Sequence, residues 1–263
     1  MTPILLLGAG RMGGALIKGW MEAKAFSPCE LIVHDPALTD PQVKAVMVGA
    51  QMTGQENFKA AQTVVLAVKP QVWREAAREQ APFLAPDAVI VSVAAGVRSA
   101  DLAGAFGGRR IARVMPTTAA AICQGTASIY AADPEARRRA EDLFKPLGAV
   151  VHLGDEELMH AATAVSGSAP AYLYAFIEAL EAAGLAAGLP KDAASRLARS
   201  TVTGAAALLA AGDEEPAELR RQVTSPGGTT AAALEVLMGE AGFEPLLRQA
   251  VAAAVRRSRE LGA

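Results

Sequence analysis

The chain has 263 residues with 52% apolar and 20% charged positions, enough for two domains with well-filled cores and without the composition of a disordered segment. Its 25 Lys plus Arg against 27 Asp plus Glu leave no basic surplus for nucleic acid or an anionic membrane, and 2 Trp, 3 Tyr and 7 Phe offer little for serial base stacking. No apolar run approaches the roughly 18 residues of a membrane span, and Cys29 and Cys123 stand apart from any zinc or disulfide pattern. A cytoplasmic protein acting on a small molecule, without a metal, nucleic-acid or membrane partner, is expected.

In chain order, short β-branched runs at 3–7, 30–34, 63–68, 88–93, 110–114 and 150–153 alternate with helical stretches at 13–23, 73–81 and 134–144. Parallel strands need crossovers of about a dozen residues, so this rhythm predicts βαβ units wound on both faces of one sheet. Beyond Gly154 the strand signal stops, and alanine-rich helices are predicted at 155–166, 170–183, 191–211, 217–222, 229–240 and 244–261. The expected architecture is α/β: an N-terminal Rossmann-like dinucleotide-binding domain at 1–156, then an all-helical domain at 157–263 suited to pairing with a second copy. Small alanine faces pack closely but supply a thin core, which favours self-association into a dimer or a multiple of dimers.

Gly8-Ala9-Gly10-Arg11-Met12-Gly13 fits G-x-G-x-x-G, follows an apolar strand and opens a helix, the context that gives the pattern meaning. Gly8 permits the tight turn, Gly10 admits a pyrophosphate to the backbone, and Gly13 allows close helix packing. Asp35 closes the second predicted strand, where a carboxylate accepts from adenosine ribose hydroxyls and repels a 2′-phosphate. NADPH or NADH is the expected cofactor, with Asp35 inclining the choice toward NADH. The ends of later strands, at Ala67-Val68-Lys69-Pro70, Ala95-Gly96 and Met115-Pro116, should line the same carboxyl edge of the sheet, leaving room for a nicotinamide ring.

A second glycine motif, Ser225-Pro226-Gly227-Gly228-Thr229-Thr230, precedes a predicted helix, and N–H groups at a helix start receive carboxylates. With Val68-Lys69-Pro70-Gln71, Ala95-Gly96-Val97, Arg113-Val114-Met115-Pro116, Ser166-Gly167-Ser168 and Leu219-Arg220, it makes the chain resemble the pyrroline-5-carboxylate reductases from first strand to last helix. Thr117 and Ala119 depart from the family's usual Asn and Pro, Ala169 replaces a Gly, and Gly54 stands where the family often has Asn, with Asn57 nearby.

The resemblance implies reduction of the cyclic imine 1-pyrroline-5-carboxylate to L-proline. It places the substrate carboxylate on Gly228, Thr229 and Thr230 with help from Ser225, and makes the Thr230 hydroxyl the partner of the ring nitrogen. It also puts Glu156 near the substrate, although an acid in a helix's first turn commonly serves the helix dipole. Thr230 has a competing reading as a helix cap. A protonated imine is already electrophilic, so alignment suffices and no catalytic His or Lys is required; His34, His152 and His160 are expected to be packing or surface residues. Two other classes fit the fold: a hydroxyacid dehydrogenase, which would carry a lysine on the central helix where 169–184 has none, and a cofactor sensor without turnover.

Overall fold

The computed structural model describes residues 1–36, 51–52 and 55–262, so Gly54 lies outside the described residues. The chain forms two compact units, Met1–Gly167 together with Ala254–Ala263, and Ser168–Ala253. The sequence pattern places the division at 156; in the structure the first unit runs on to Gly167 and includes Ala254–Ala263.

The first unit is built on an eight-stranded sheet in the order β3-β2-β1-β4-β5-β6-β7-β8. Its strands are β1 (Ile4–Leu7), β2 (Leu31–His34), β3 (Gln51–Met52), β4 (Thr63–Leu66), β5 (Val89–Ser92), β6 (Ile111–Pro116), β7 (Gly125–Tyr130) and β8 (Gly148–His152). From β3 to β6 all neighbours are parallel. The helices α1 (Arg11–Glu22), α2 (Trp73–Gln80), α3 (Ser99–Ala105) and α4 (Pro134–Phe144) cover it. Strand side chains alternate between faces. Ile4 and Leu6 therefore join Leu16, Trp20, Leu143 and Phe144 in one core, and Leu5 and Leu7 join Phe58, Trp73, Leu84 and Phe106 in the other. Both faces are buried, which is why these strands read as continuous apolar runs.

The expected parallel βαβ units are interrupted by a strand not anticipated between 114 and 150: β7 pairs antiparallel with β6, and β8 runs parallel to β7. The segment Gly-Thr-Ala-Ser-Ile-Tyr that forms β7 is rich in small and polar residues and gives little hydrophobic signal. Its pairing also extends β6 to Met115 and Pro116, opposite Ser128 and Ala127. Thr117, the family departure, has a structural task here: its hydroxyl accepts from the Thr126 N–H at 3.0 Å and closes the connection between the two strands. The single helix predicted at 155–166 is instead α5 (Leu158–Ala162) followed by a π-helical stretch, Thr163–Gly167. Thr163 and Ser166 donate back to the carbonyls of Met159 and Ala162 in that stretch, a habit of hydroxyl residues that loosens a helix.

The second unit is helical: α6 (Ala169–Ala186), α7 (Lys191–Ala211), α8 (Pro216–Gln222), α9 (Thr229–Leu237) and most of α10 (Phe243–Glu260). Gly188, at φ +94°, ends α6, and the Leu189 N–H donates to the Gly184 carbonyl at 3.0 Å. A Cβ on Gly184 would lie 3.4 Å from that of Ala194, so small residues set the spacing of the α6–α7 pair. Phe176 and Phe243 meet edge to face at 6.0 Å.

Candidate active site

The order around β1 reverses, with β2 on one side and β4 on the other, and doubly wound sheets bind ligands outside the carboxyl ends of strands at such a point. Leu7 of β1 is paired with Leu66 of β4, so Gly8 and Ala67 leave the sheet side by side. Gly8 has φ +94°, and a Cβ on it would sit 2.9 Å from the Ala67 carbonyl oxygen. A Cβ on Gly13 would come within 2.1 Å of the Gly8 oxygen, so glycine there lets α1 seat on the turn. Gly10 differs, because its Cβ would meet nothing within 4 Å. Among the described residues no atom fills the space above it, as the approach of a diphosphate to backbone requires. Gly10 also caps α1 without a side-chain bond, and no acid occupies the first turn, so an anion there meets open N–H groups.

A cavity of about 390 Å³ opens beside this turn, and Gly8, Gly10, Asp35, Ala67, Val68 and Lys69 of the predicted set line it. The Asp35 carboxylate accepts from the Ala9 N–H at 2.6 Å, which ties the end of β2 to the glycine turn and fixes the acid at the cavity wall. Sequence reasoning missed the part of the lining that comes from α2 and the residue before it. Val72, Glu75, Ala76, Glu79 and Gln80 form it, positions that recur with helical period on one face of α2, so the spacing itself was the available signal. His34, read as a packing residue, does pack edge-on against Phe58 at 5.3 Å, and it also lines the cavity, 3.4 Å from the Gln80 amide.

The rest of the predicted cofactor set lies off this cavity. Arg11 is exposed on the first turn of α1, and Met12 packs against the core. Pro70 belongs to a separate pocket, Ala95 and Gly96 follow β5, and Met115 and Pro116 are buried at the end of β6. These ends lie along the same carboxyl edge, beyond β4 in sheet order.

Glu156 has a defined occupation. One oxygen accepts from the Ser99 N–H at 2.6 Å, the Ser99 hydroxyl at 2.8 Å and the buried Arg113 guanidinium at 2.8 Å. Burial alone would raise its pKa, but the hydrogen bonds from Ser99 and the bond and charge of Arg113 outweigh it and hold the carboxyl below its usual value. The group is therefore an ionised tie between β6 and the start of α3. His160 is buried, and its Nδ1 shares a 2.9 Å hydrogen bond with the Ser258 hydroxyl, whereas His152 is a surface partner of Glu141 at 3.3 Å.

In the second unit the loop before α9 turns at Gly227, φ +68°, and Gly228 caps the helix. Thr230 is thus the second helical residue, which removes its competing reading as the cap. The Gly228 N–H donates to the Ser225 carbonyl at 3.0 Å, so this assigned donor is occupied within the loop. Thr224 donates its hydroxyl to the Arg220 carbonyl at 2.6 Å and anchors the loop to α8. The N–H groups of Thr229 and Thr230 begin the helix, and Ser225 and Thr229 are exposed. The loop offers backbone donors, hydroxyls and a helix dipole, which suit a small carboxylate.

Comparison with known proteins decides what this pair of glycine motifs belongs to. The chain is 39% identical to a pyrroline-5-carboxylate reductase from Pseudomonas aeruginosa over 99% of its own length and 97% of the relative's. It is 38% identical to one from Synechocystis over 98% and 97%. The chain belongs to the pyrroline-5-carboxylate reductase family. Residues 156–261 match the family described as pyrroline-5-carboxylate reductase dimerisation, and residues 3–96 match NADP oxidoreductase, coenzyme F420-dependent. Among solved structures, a Coxiella burnetii pyrroline-5-carboxylate reductase superposes with TM-score 0.90 at 30% identity, covering 100% of this chain and 99% of that one. A Plasmodium falciparum pyrroline carboxylate reductase solved with NADP bound gives 0.85 at 26%, covering 100% and 98%. As a pyrroline-5-carboxylate reductase, the chain reduces 1-pyrroline-5-carboxylate to L-proline with NAD(P)H, and its helical half is the family's self-association domain.

Proposed function

We propose that the pyrroline-5-carboxylate reductase reaction of this chain draws on NADH in preference to NADPH and is carried by Thr230 and the loop before it. The observation behind the first part is the wall of the 390 Å³ cavity, where Asp35, Glu75 and Glu79 stand against the single cation Lys69 among the described lining residues. Three carboxylates around an adenosine ribose favour free hydroxyls and oppose a 2′-phosphate of like charge.

NAD(P)H, when bound, supplies hydride to the C=N carbon. The protein's share is to bind, orient and handle one proton. The N–H groups of Thr229 and Thr230 receive the substrate carboxylate, with the Ser225 hydroxyl beside them, and the helix dipole supplies attraction without a fixed cation. The Thr230 hydroxyl accepts from the N–H of the protonated imine, which keeps that proton as hydride arrives and leaves as the secondary amine; with a neutral imine the hydroxyl donates its proton as the hydride adds and regains one from water, so no alkoxide remains. No strong acid is needed, because the imine enters carrying its own activation. The helical domain pairs with that of a second copy.

Steady-state oxidation of NADH and of NADPH at varied 1-pyrroline-5-carboxylate, with proline identified as product, tests both parts. The expected kcat/KM is higher with NADH by roughly tenfold; parity or a preference for NADPH removes Asp35 as the discriminating group. Thr230→Ala is expected to lower kcat roughly 100-fold while leaving NADH affinity intact. Unchanged turnover takes Thr230 out of the mechanism and leaves water as the proton source.

A further inference from the structure

The last turn of the chain sits on the loop that follows β5. Gly96 has φ +81°, and a Cβ on it would lie 3.0 Å from the Gly262 nitrogen and 3.0 Å from the Ser258 carbonyl oxygen. The reverse contact is closer still: a Cβ on Gly262 would fall 2.1 Å from the Gly96 oxygen. Backbone therefore meets backbone with no side chain between them, and glycine is required on both sides.

Two polar ties, one buried and one half-buried, frame this contact. Ser258 is 4% exposed and bonds the His160 imidazole at 2.9 Å, which pins the end of α10 to α5. Three residues beyond Gly96, both the N–H and the hydroxyl of Ser99 are held by Glu156, itself locked by Arg113 of β6. The 94–99 loop is thus gripped at its middle by the chain terminus and at its end by a carboxylate. The same terminal turn reaches the loop after β4, since Leu261 and Gly262 line a small pocket with Pro70, Gln71 and Val97.

We propose that the terminal turn 258–262 is a brace that sets the position of the β5–α3 loop at the cofactor edge, with Ser258 and Gly262 as its positioning residues. Neither touches the reacting atoms. They act through Gly96, whose neighbours Ala95 and Val97 stand at the carboxyl end of β5, the edge where a doubly wound sheet receives the nicotinamide half of its ligand. The backbone contact fixes the height of the loop above the sheet, and the Ser258–His160 bond fixes the height of the terminus, so a shift at either end is passed to the loop. The inference rests on the assignment of this edge to NAD(P)H.

Ser258→Ala removes the tie to His160, and Gly262→Ala drives a methyl into the Gly96 carbonyl. The test is titration of each full-length variant with NADH by fluorescence, beside KM for 1-pyrroline-5-carboxylate and the fraction folded. The expected result is an NADH Kd raised roughly five-fold in both variants with the imine KM unchanged. A merely structural role lowers the folded fraction and leaves the Kd of the folded remainder as it was, so an unchanged Kd in both variants overturns the proposal. Gly10→Ala separates the two failures. If it weakens NADH while the terminal variants do not, the brace alone is wrong; if it also leaves NADH binding unchanged, the cofactor site has been misplaced.

Discussion

The two units solve the burial problem in opposite ways. In the first, a sheet with helices on both faces buries two clusters that include Trp20, Phe58, Phe106 and Phe144, all supplied by its own segments. In the second, the buried residues are Ala194, Ala198 and Gly242, and none of them is large. Leu173 stays 55% exposed, Tyr174 64% and Leu208 57%. Helix α6 has no buried residue within its own chain, yet it is the most apolar of the long helices, which is how an element looks when its partner is another molecule. A nucleotide-binding half completes its core alone, whereas a dimerisation half keeps its core for the assembly.

The largest effect should therefore come from the exposed face of α6. Leu173 and Leu180 fall on one side of the helix, and burial of each is worth about 1.5–3 kcal/mol when a partner covers it. The double change Leu173→Asp with Leu180→Asp should convert the assembly to a smaller species by light scattering and lower Tm by on the order of 10 °C. Retention of both parent mass and parent Tm would show that this face is not the one the partner covers.

A second effect separates stability from binding inside the first unit. Gly13→Ala pushes a methyl to 2.1 Å from the Gly8 oxygen and should cost about 2–4 kcal/mol in denaturant unfolding. Gly10→Ala meets no atom of the described residues within 4 Å, so its stability should stay within about 0.5 kcal/mol of the parent while NADH affinity falls roughly tenfold. Equal losses of stability in the two variants would mean that the space above Gly10 is not kept for a ligand.

How legible this was in the sequence follows from the same contrast. The parallel strands and α4 could be read because a strand buried on both faces is a run of β-branched residues and a crossover helix has a period. The glycine turn could be read because three glycines each answer a separate steric demand. β7 was hidden by small residues, and the π-helical stretch 163–167 by its helical composition. The α2 part of the cavity lining was written in the spacing of Val72, Glu75, Ala76, Glu79 and Gln80, but that spacing points to a face without saying what the face sees. The ties between Glu156 and Ser99 and between His160 and Ser258 join residues 57 and 98 apart, and nothing local in the chain announces such a pairing.

The smallest effect concerns one of those long-range ties. Burial lowers the His160 pKa from 6.5, and the positive charge of Arg113 pushes the same way, as do Arg259 and Arg98, against the opposing charge of Glu157. A base whose folded pKa is depressed takes up its proton more readily in the unfolded chain. Stability is then fully present above the unfolded value near 6.5 and falls as the pH drops from there toward the lower folded value, with a slope no steeper than about 1.4 kcal/mol per pH unit. Below the folded value the loss is complete and the slope from this group vanishes. His160→Gln keeps a hydrogen-bonding side chain opposite Ser258 but cannot be charged, so its unfolding free energy should be flatter over the same interval, measured by urea titration at a series of pH values. Parallel curves for parent and variant would mean that the imidazole titrates alike in the folded and unfolded chain and that its burial costs the cation nothing.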